Sequence, residues 1–303
     1  MMVRESGNRG LKTLCRLLGY TRQAYYQQKL QIERVALGSD LVLQKVMHIR
    51  EVQRRIGTRK LYFMMGGFIR EHCLQIGRDS LFELLREHSL LVRKRRQRKP
   101  RTTFSCCWMK RYPNLAKDFI PTGALQLWVS DITYIRIREG FGYLSLITDA
   151  YSRKIVGYHL SEDLSARGCV AALRMALKNN LQREGLIHHS DRGMQYYSAA
   201  YMKLLGADIR VSMSEKSDPL ENAIAERVNG ILKDELLEKR FESFTEARRE
   251  VAQAVSTYNH LRPHLSIDML TPAEAHTKTG ELKRRWTNYY LNKMRPISPQ
   301  AMA

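Results

Sequence analysis

Three acidic residues stand where a carboxylate is hard to explain as structure alone. Asp131 interrupts the β-rich run LQLWVSDITYIRI, on the strand face shared by Val129, Thr133, Ile135 and Ile137, and an unpaired buried carboxylate is unfavourable. Asp191 closes LIHHSD, at the carboxyl end of an apolar-led strand, where crevices form in α/β sheets. Glu226 lies in SDPLENAIAERVNGILKDELL, a helix expected to start at residue 219 with Asp218, Pro219 and Glu221 as N-cap, N1 and N3. At about 100° per residue, Leu220, Ala223, Ile224, Val228 and Ile231 share one face of that helix. Glu226 falls opposite them, with Asn222 and Lys233 near its line. Hard oxygen ligands gathered beside a polyanion suit Mg²⁺ or Mn²⁺, two ions in all. Phosphoryl transfer is the chemistry such a pair performs. Asp131, Asp191 and Glu226 are therefore the candidate catalytic and metal-binding residues. Lys233 is then placed to reach a DNA phosphate, with Asn222 beside it.

Other chemistries fit less well. His188 and His189 suggest a metal site, but adjacent strand residues face opposite ways. His189 shares the parity of Asp191 and keeps a claim on the site; a core role is expected first for both. Ser190 lacks a base and an orienting partner. Tyr196 and Tyr197 lack the Arg and His set of a tyrosine recombinase. Asp149 is the rival carboxylate, ending a strand before Tyr151-Ser152-Arg153, where Asp readily organises a turn.

The elements that must position these groups have a clear pattern. LQLWVSDITYIRI, GYLSLITDAY and KIVGYHL read as an antiparallel meander. A helix at 165–181, a strand at 186–190, a helix near 198–205, a strand around 209–212 and the long helix follow. The fold class is α/β, a mixed sheet flanked by helices. An all-α region precedes it. GLKTLCRLLGYTRQAYYQQKL reads as helix-turn-helix, with a Gly-Tyr-Thr break, Thr21 as cap and a second short helix from Arg22. A further helical unit at 41–90 carries Ser80-x-x-Glu83, a capping box. A plain helical bundle is the other reading of this region.

Fifty-one Lys and Arg against thirty Asp and Glu leave a formal charge of +21, and the pI is near 10.0. That excess points to a polyanionic partner. No apolar run reaches the roughly 18 residues of a membrane span, which favours double-stranded DNA over a membrane surface. RKRRQRKPR at 93–101 reads as a basic linker able to follow phosphates. Five cysteines without framework spacing suit reduced thiols in a cytoplasmic protein.

Read in order, LCRLLGYTRQAYY, RRIGTRKLYFMM, WVSDITYI, ITDAYSRKIVGYHLS, HHSDRGMQYYS, SMSEKSDPLENAIAE, LKDEL and YNHLRPHLSIDMLTPAEA resemble the OrfB-type DDE transposases of the insertion sequence three family. The resemblance covers about residues 10 to 276. It implies a retroviral-integrase-type, ribonuclease H-like core with Asp131, Asp191 and Glu226 as metal ligands. It also implies cleavage that exposes a 3′-hydroxyl, and attack of that hydroxyl on a second phosphodiester. The helix-turn-helix region would read the terminal inverted repeats, with Arg22, Arg59 and Lys60 as expected DNA contacts. A homo-oligomer and an OrfA partner are implied too; the beginning at Met1 without a coiled coil looks like the unfused form. The domains expected are a helix-turn-helix region at 1–92, a basic linker at 93–120, the core at 121–276 and a basic tail at 277–303. Two departures stand out. Asp191 and Glu226 are one residue closer than is usual in the family, and Glu215 and Ser217 replace an expected basic residue and glycine. A DNA-binding repressor with an inactive core is the alternative function; the intact triad favours the enzyme.

Overall fold

The computed structural model describes residues 10–93, 112–138, 140–180, 184–215 and 222–285. They fall into two compact units divided after Arg93. The basic run after Arg93, the Asp218–Pro219–Glu221 cap and the tail beyond residue 285 lie outside the described residues.

The first unit is helical: α1 (Leu11–Leu17), α2 (Arg22–Val52), α3 (Thr58–Met64), α4 (Gly66–Glu71) and α5 (Arg78–Glu87). Gly19 turns the chain at φ +74°, and the Thr21 hydroxyl caps α2 by accepting from Ala24 N–H at 3.0 Å. Val42, Val46, Ile56, Leu61, Met65, Leu81 and Leu85 form its core. Two expectations need correction. The second helix is not short but runs 31 residues through to Val52. Only Gly38 punctuates it, and one helical glycine costs about 1 kcal/mol, too little to end a helix packed along its second half. The Ser80–Glu83 capping box does not form either. Gly77 is the N-cap of α5 without a side-chain bond, and Glu83 instead pairs with Arg86.

The second unit is built on one sheet of β1 (Leu127–Ile137), β2 (Gly140–Asp149), β3 (Ile155–Ser161), β4 (Ile187–Ser190) and β5 (Arg210–Met213). Its strand order is β3-β2-β1-β4-β5. The β1–β2–β3 meander is antiparallel, whereas β4 and β5 join parallel to β1. This is the ribonuclease H-like arrangement, a mixed sheet with helices on both faces. On one face α6 (Ala166–Asn179) and α7 (Ala199–Leu205) bury Trp128, Ile147, Val156, Leu173 and Tyr201. Gly157 makes that packing possible, because a Cβ there would lie 2.2 Å from Ala172 O. On the other face α8 (Ala223–Ile231) and α9 (Phe244–His260) cover Ile135, Leu144, Leu146, Ile155 and Leu160. The short helix α10 (Pro272–His276) starts at a capping box between Thr271 and Glu274. Among the described residues no helix is long and apolar enough to cross a membrane.

Candidate active site

The two aspartates are brought together by strand register. Val129 on β1 is the parallel partner of His189 on β4. Asp131 and Asp191 each stand two residues past that rung, Asp131 still within β1 and Asp191 just past the end of β4, near enough that the Asp191 charge is felt at Asp131. β4 ends at Ser190, and Asp191 then accepts from Gly193 N–H at 3.0 Å. Gly193 sits at φ −64°, an ordinary backbone angle; what it supplies is room. A Cβ there would lie 3.0 Å from both Asp191 Oδ1 and Gln195 Oε1.

Helix α8 lies over β1 and speaks to it through polar side chains. Asn222 donates to Ser130 O at 3.0 Å, Asn229 to Asp131 Oδ2 at 2.6 Å, and Lys233 to Thr133 Oγ1 at 3.2 Å. In the described residues the helix runs Ala223–Ile231 with Asn222 as N-cap; the expected start at 219 lies outside them. Its buried face is Ala225, Val228, Asn229 and Ile231, continued by Leu232. The expected face included Ala223 and Ile224, which are exposed and half-buried. The helix is thus rotated to put Asn229 against the strand. A wider π-type turn over Leu232–Leu236 follows, with Leu237 N–H reaching back to Leu232 O at 2.8 Å.

Asn229 is the residue that sequence reasoning missed. A polar side chain is discounted when an apolar face is assembled, yet it sits three residues after Glu226 on the side that meets Asp131. It is 5% exposed, and among the described residues its Oδ1, like that of Asn222, is buried without a hydrogen-bond partner.

Charge at the site is unbalanced. Burial, then the neighbouring Asp191 charge, push the Asp131 carboxyl up to about 7; the Ile132 N–H and the Asn229 amide work against this, and Glu226 adds a smaller push upward. Burial also raises Asp191, against the Gly193 N–H. Two neighbouring acids with raised proton affinity form a seat for a cation, which would relieve both the burial and the repulsion. Glu226 is exposed and close enough to be felt at Asp131, but the triad is not closed. No group of three or more His, Cys, Asp or Glu among the described residues is gathered into a ready metal cage. The oxygens present nevertheless suit a hard divalent ion: two carboxylates, with a third beside them and two buried amide oxygens nearby.

The rival groups have other roles. Asp149 is fully buried and organises the β2–β3 turn, accepting from Leu125 N–H, Ser152 N–H and the Ser152 hydroxyl, each at 2.8 Å. Its strand partner is Trp128, not Asp131. His188 Nε2 lies 2.8 Å from the Tyr201 hydroxyl and 3.2 Å from that of Ser130, behind the sheet. His189 Nδ1 lies 2.8 Å from Ser212 Oγ. Both histidines are buried core groups. Cys169 and Tyr196 are buried beneath the aspartates, and burial lifts the Cys169 thiol to about 11, so it remains protonated. Arg22 and Arg59 are exposed and Lys60 is half-buried, all in the helical unit.

Two family models described as integrase core domain match the chain, over residues 121–219 and 207–272. An insertion element IS600 protein of Shigella sonnei, described as an uncharacterized 31 kDa protein, is 35% identical over 276 residues, 89% of this chain and 99% of that one. The transposase InsF for insertion sequence IS3A of Escherichia coli K12 is 35% identical, covering 54% of this chain and 58% of its own length. A putative transposase for element IS986/IS6110 of Mycobacterium tuberculosis is 30% identical over 60% of this chain and 65% of that one. Among solved structures, a simian T-cell lymphotropic virus intasome bound to a PP2A regulatory subunit matches with TM-score 0.45 and 18% identity over 77% of each chain. The HTLV-2 integrase catalytic core in complex with magnesium matches with TM-score 0.38 and 16% identity over 52% of this chain and 97% of that one.

Proposed function

The chain belongs to the insertion sequence three family of transposases, with an integrase core, and we propose that it cuts and joins DNA through Asp131, Asp191 and Glu226. The observation that carries this reading is the nearness of Asp131 and Asp191, each two residues past one rung of parallel strands, with Glu226 on the helix laid across them. Mg²⁺ or Mn²⁺, as a pair of ions held by these three carboxylates, would supply the charge neutralisation and oxygen activation that phosphodiester chemistry needs.

The chain's own groups do the positioning. Asp131 is fixed by the Asn229 amide at Oδ2 and by the Ile132 N–H. Asp191 is fixed by Gly193 N–H. Lys233 is held at its ammonium by Thr133, next to where a phosphate would lie, and offsets its negative charge. Asn222 ties the start of α8 to the backbone of β1, keeping Glu226 over the aspartates.

The substrates in this reading are double-stranded DNA at the element's inverted repeats and a target duplex. The helical unit, with Arg22, Arg59 and Lys60, reads the repeats. Two ends must be held together, so the working form is a homo-oligomer, and an OrfA product is the further partner. The test is joining of a pre-cut element end to target DNA with Mg²⁺ or Mn²⁺, and with a chelator. Product that needs the metal supports the reading. Tight DNA binding with no product under any metal would overturn it in favour of a repressor.

A further inference from the structure

The β1–β2 hairpin outruns the rest of the sheet. β1 continues to Ile137, yet β4 pairs with it only as far as Val129. On the face packed by α6, helical cover stops at the level of Ser145 and Ser161: Gly168, in the first turn of α6, sits so close that a Cβ would lie 2.4 Å from Ser161 Oγ and 3.3 Å from Ser145 Oγ. The next two rungs on that face are Tyr134 with Tyr143 and Arg136 with Phe141. Their rings form an edge-to-face cluster, Tyr134 to Tyr143 at 5.3 Å and Tyr134 to Phe141 at 6.1 Å between centroids. Phe141 is 49% exposed, and Arg136 and Arg138 are exposed beside it.

The outer edge of β1 at this end is already closed. Arg138 N–H donates to Phe241 O and Phe241 N–H to Arg136 O, while the Arg240 guanidinium donates to Arg138 O at 3.4 Å. No strand can add there, so the surface offers side chains rather than backbone. Along the chain here Arg136, Arg138, Lys239 and Arg240 stand against Glu139, Glu238 and Glu242, and Glu242 lies 3.5 Å from Arg138. Rings presented edge and face among guanidinium groups match sugars, bases and phosphates. Tyr134 is three residues beyond Asp131 along β1, about 10 Å at the strand rise, and it faces the side of the sheet opposite that carboxylate.

We infer that Tyr134, Arg136, Arg138, Phe141 and Tyr143 form a second DNA contact at the end of the β1–β2 hairpin, on the sheet face turned away from the carboxylates. The inference rests on the proposed function for its substrate, while its test stands apart from catalysis. The full chain and the double variant Arg136→Glu/Arg138→Glu are titrated with a duplex element end across salt concentrations, with Phe141→Ser as a second variant. The charge variant should bind about tenfold or more weakly, with a log–log salt slope shallower by about two, as expected for two lost phosphate contacts. Arg136→Lys/Arg138→Lys should keep the slope. Equal affinity and salt slope in wild type and charge variant would overturn this contact, as would loss of self-association in place of loss of DNA binding. Wild-type protein that binds DNA but never joins it would instead count against the proposed function alone.

Discussion

Asn229 donates to Asp131 Oδ2 across 2.6 Å, tying helix α8 to strand β1 at the carboxylate that carries the most unbalanced charge in the site. Glu226 lies one turn earlier on the same helix, so this amide, together with the Asn222 tie to Ser130 O, helps set the distance between the helix-borne acid and the sheet-borne pair. Removing it takes away the side-chain bond that orients Asp131 and the middle of the three polar ties to β1. Asn229→Ala should lower joining by about 10- to 100-fold, the usual loss when a group that orients a metal ligand is removed. The Mn²⁺ concentration needed for half-maximal rate should rise, with DNA affinity unchanged. An unchanged metal requirement would assign Asn229 to packing only.

Asp131 also makes the metal-free protein sensitive to pH. Its carboxyl is raised from 3.8 to about 7, by burial first and Asp191 second, so the folded chain keeps a proton there that the unfolded chain releases. Stability from this group is full below pH 3.8 and is lost as pH rises towards 7. In thermal unfolding without metal, Asp131→Asn should therefore gain on wild type between pH 4 and pH 8. Added Mn²⁺ should raise the melting temperature of wild type more than that of the variant. Parallel pH profiles would contradict the charge assigned to this pair.

His188 acts in the opposite direction. Burial first, then the neighbouring His189, hold its pKa down at about 3 instead of 6.5, so it meets the Tyr201 and Ser130 hydroxyls as a neutral ring. Its contribution is complete above pH 6.5 and is lost as pH falls towards 3, at up to about 1.4 kcal/mol per pH unit. The stability gap between wild type and His188→Gln, measured by denaturant unfolding, should narrow from pH 7.5 to pH 4.5. A constant gap would show that the ring is not forced to charge on unfolding.

Arg262 offers a purely structural prediction. It is 1% exposed and pairs twice with Glu235, at 2.9 and 2.8 Å, joining the end of α9 to the π-type turn after α8. The burial of the guanidinium assigns it to anchoring. Breaking a buried pair strands a charge, so Arg262→Met should destabilise by about 3–5 kcal/mol. Adding Glu235→Leu should recover part of that loss. No recovery in the double variant would show that the pair's charges are not what its removal exposes.

Much of the site was legible because sheets impose a period of two. The parity of Asp131 and the end-of-strand place of Asp191 follow from β patterning, and the meander with its parallel additions follows from run lengths. The helices were less legible. The face of α8 was assembled from apolar residues, whereas the folded helix is registered by polar ones, Asn222, Asn229 and Lys233, bonding to β1. The Ser80–Glu83 pattern matched a cap that Gly77 supplies through backbone geometry alone. The length of α2 was hidden because short-range breaks such as Gly38 are weaker than the packing of the helix that crosses them.

The most direct test of the account is single-turnover joining of a pre-cut element end by Asp131→Asn, Asp191→Asn and Glu226→Gln, each compared with wild type at equal DNA occupancy in Mn²⁺. The account predicts that all three bind DNA and yield product only at the background of protein-free DNA. Glu226→Gln is the most demanding of them, since Glu226 stands beside the aspartates without closing on them. Wild-type product from any one of the three would contradict the assignment of that carboxylate, and from either aspartate it would contradict the site itself.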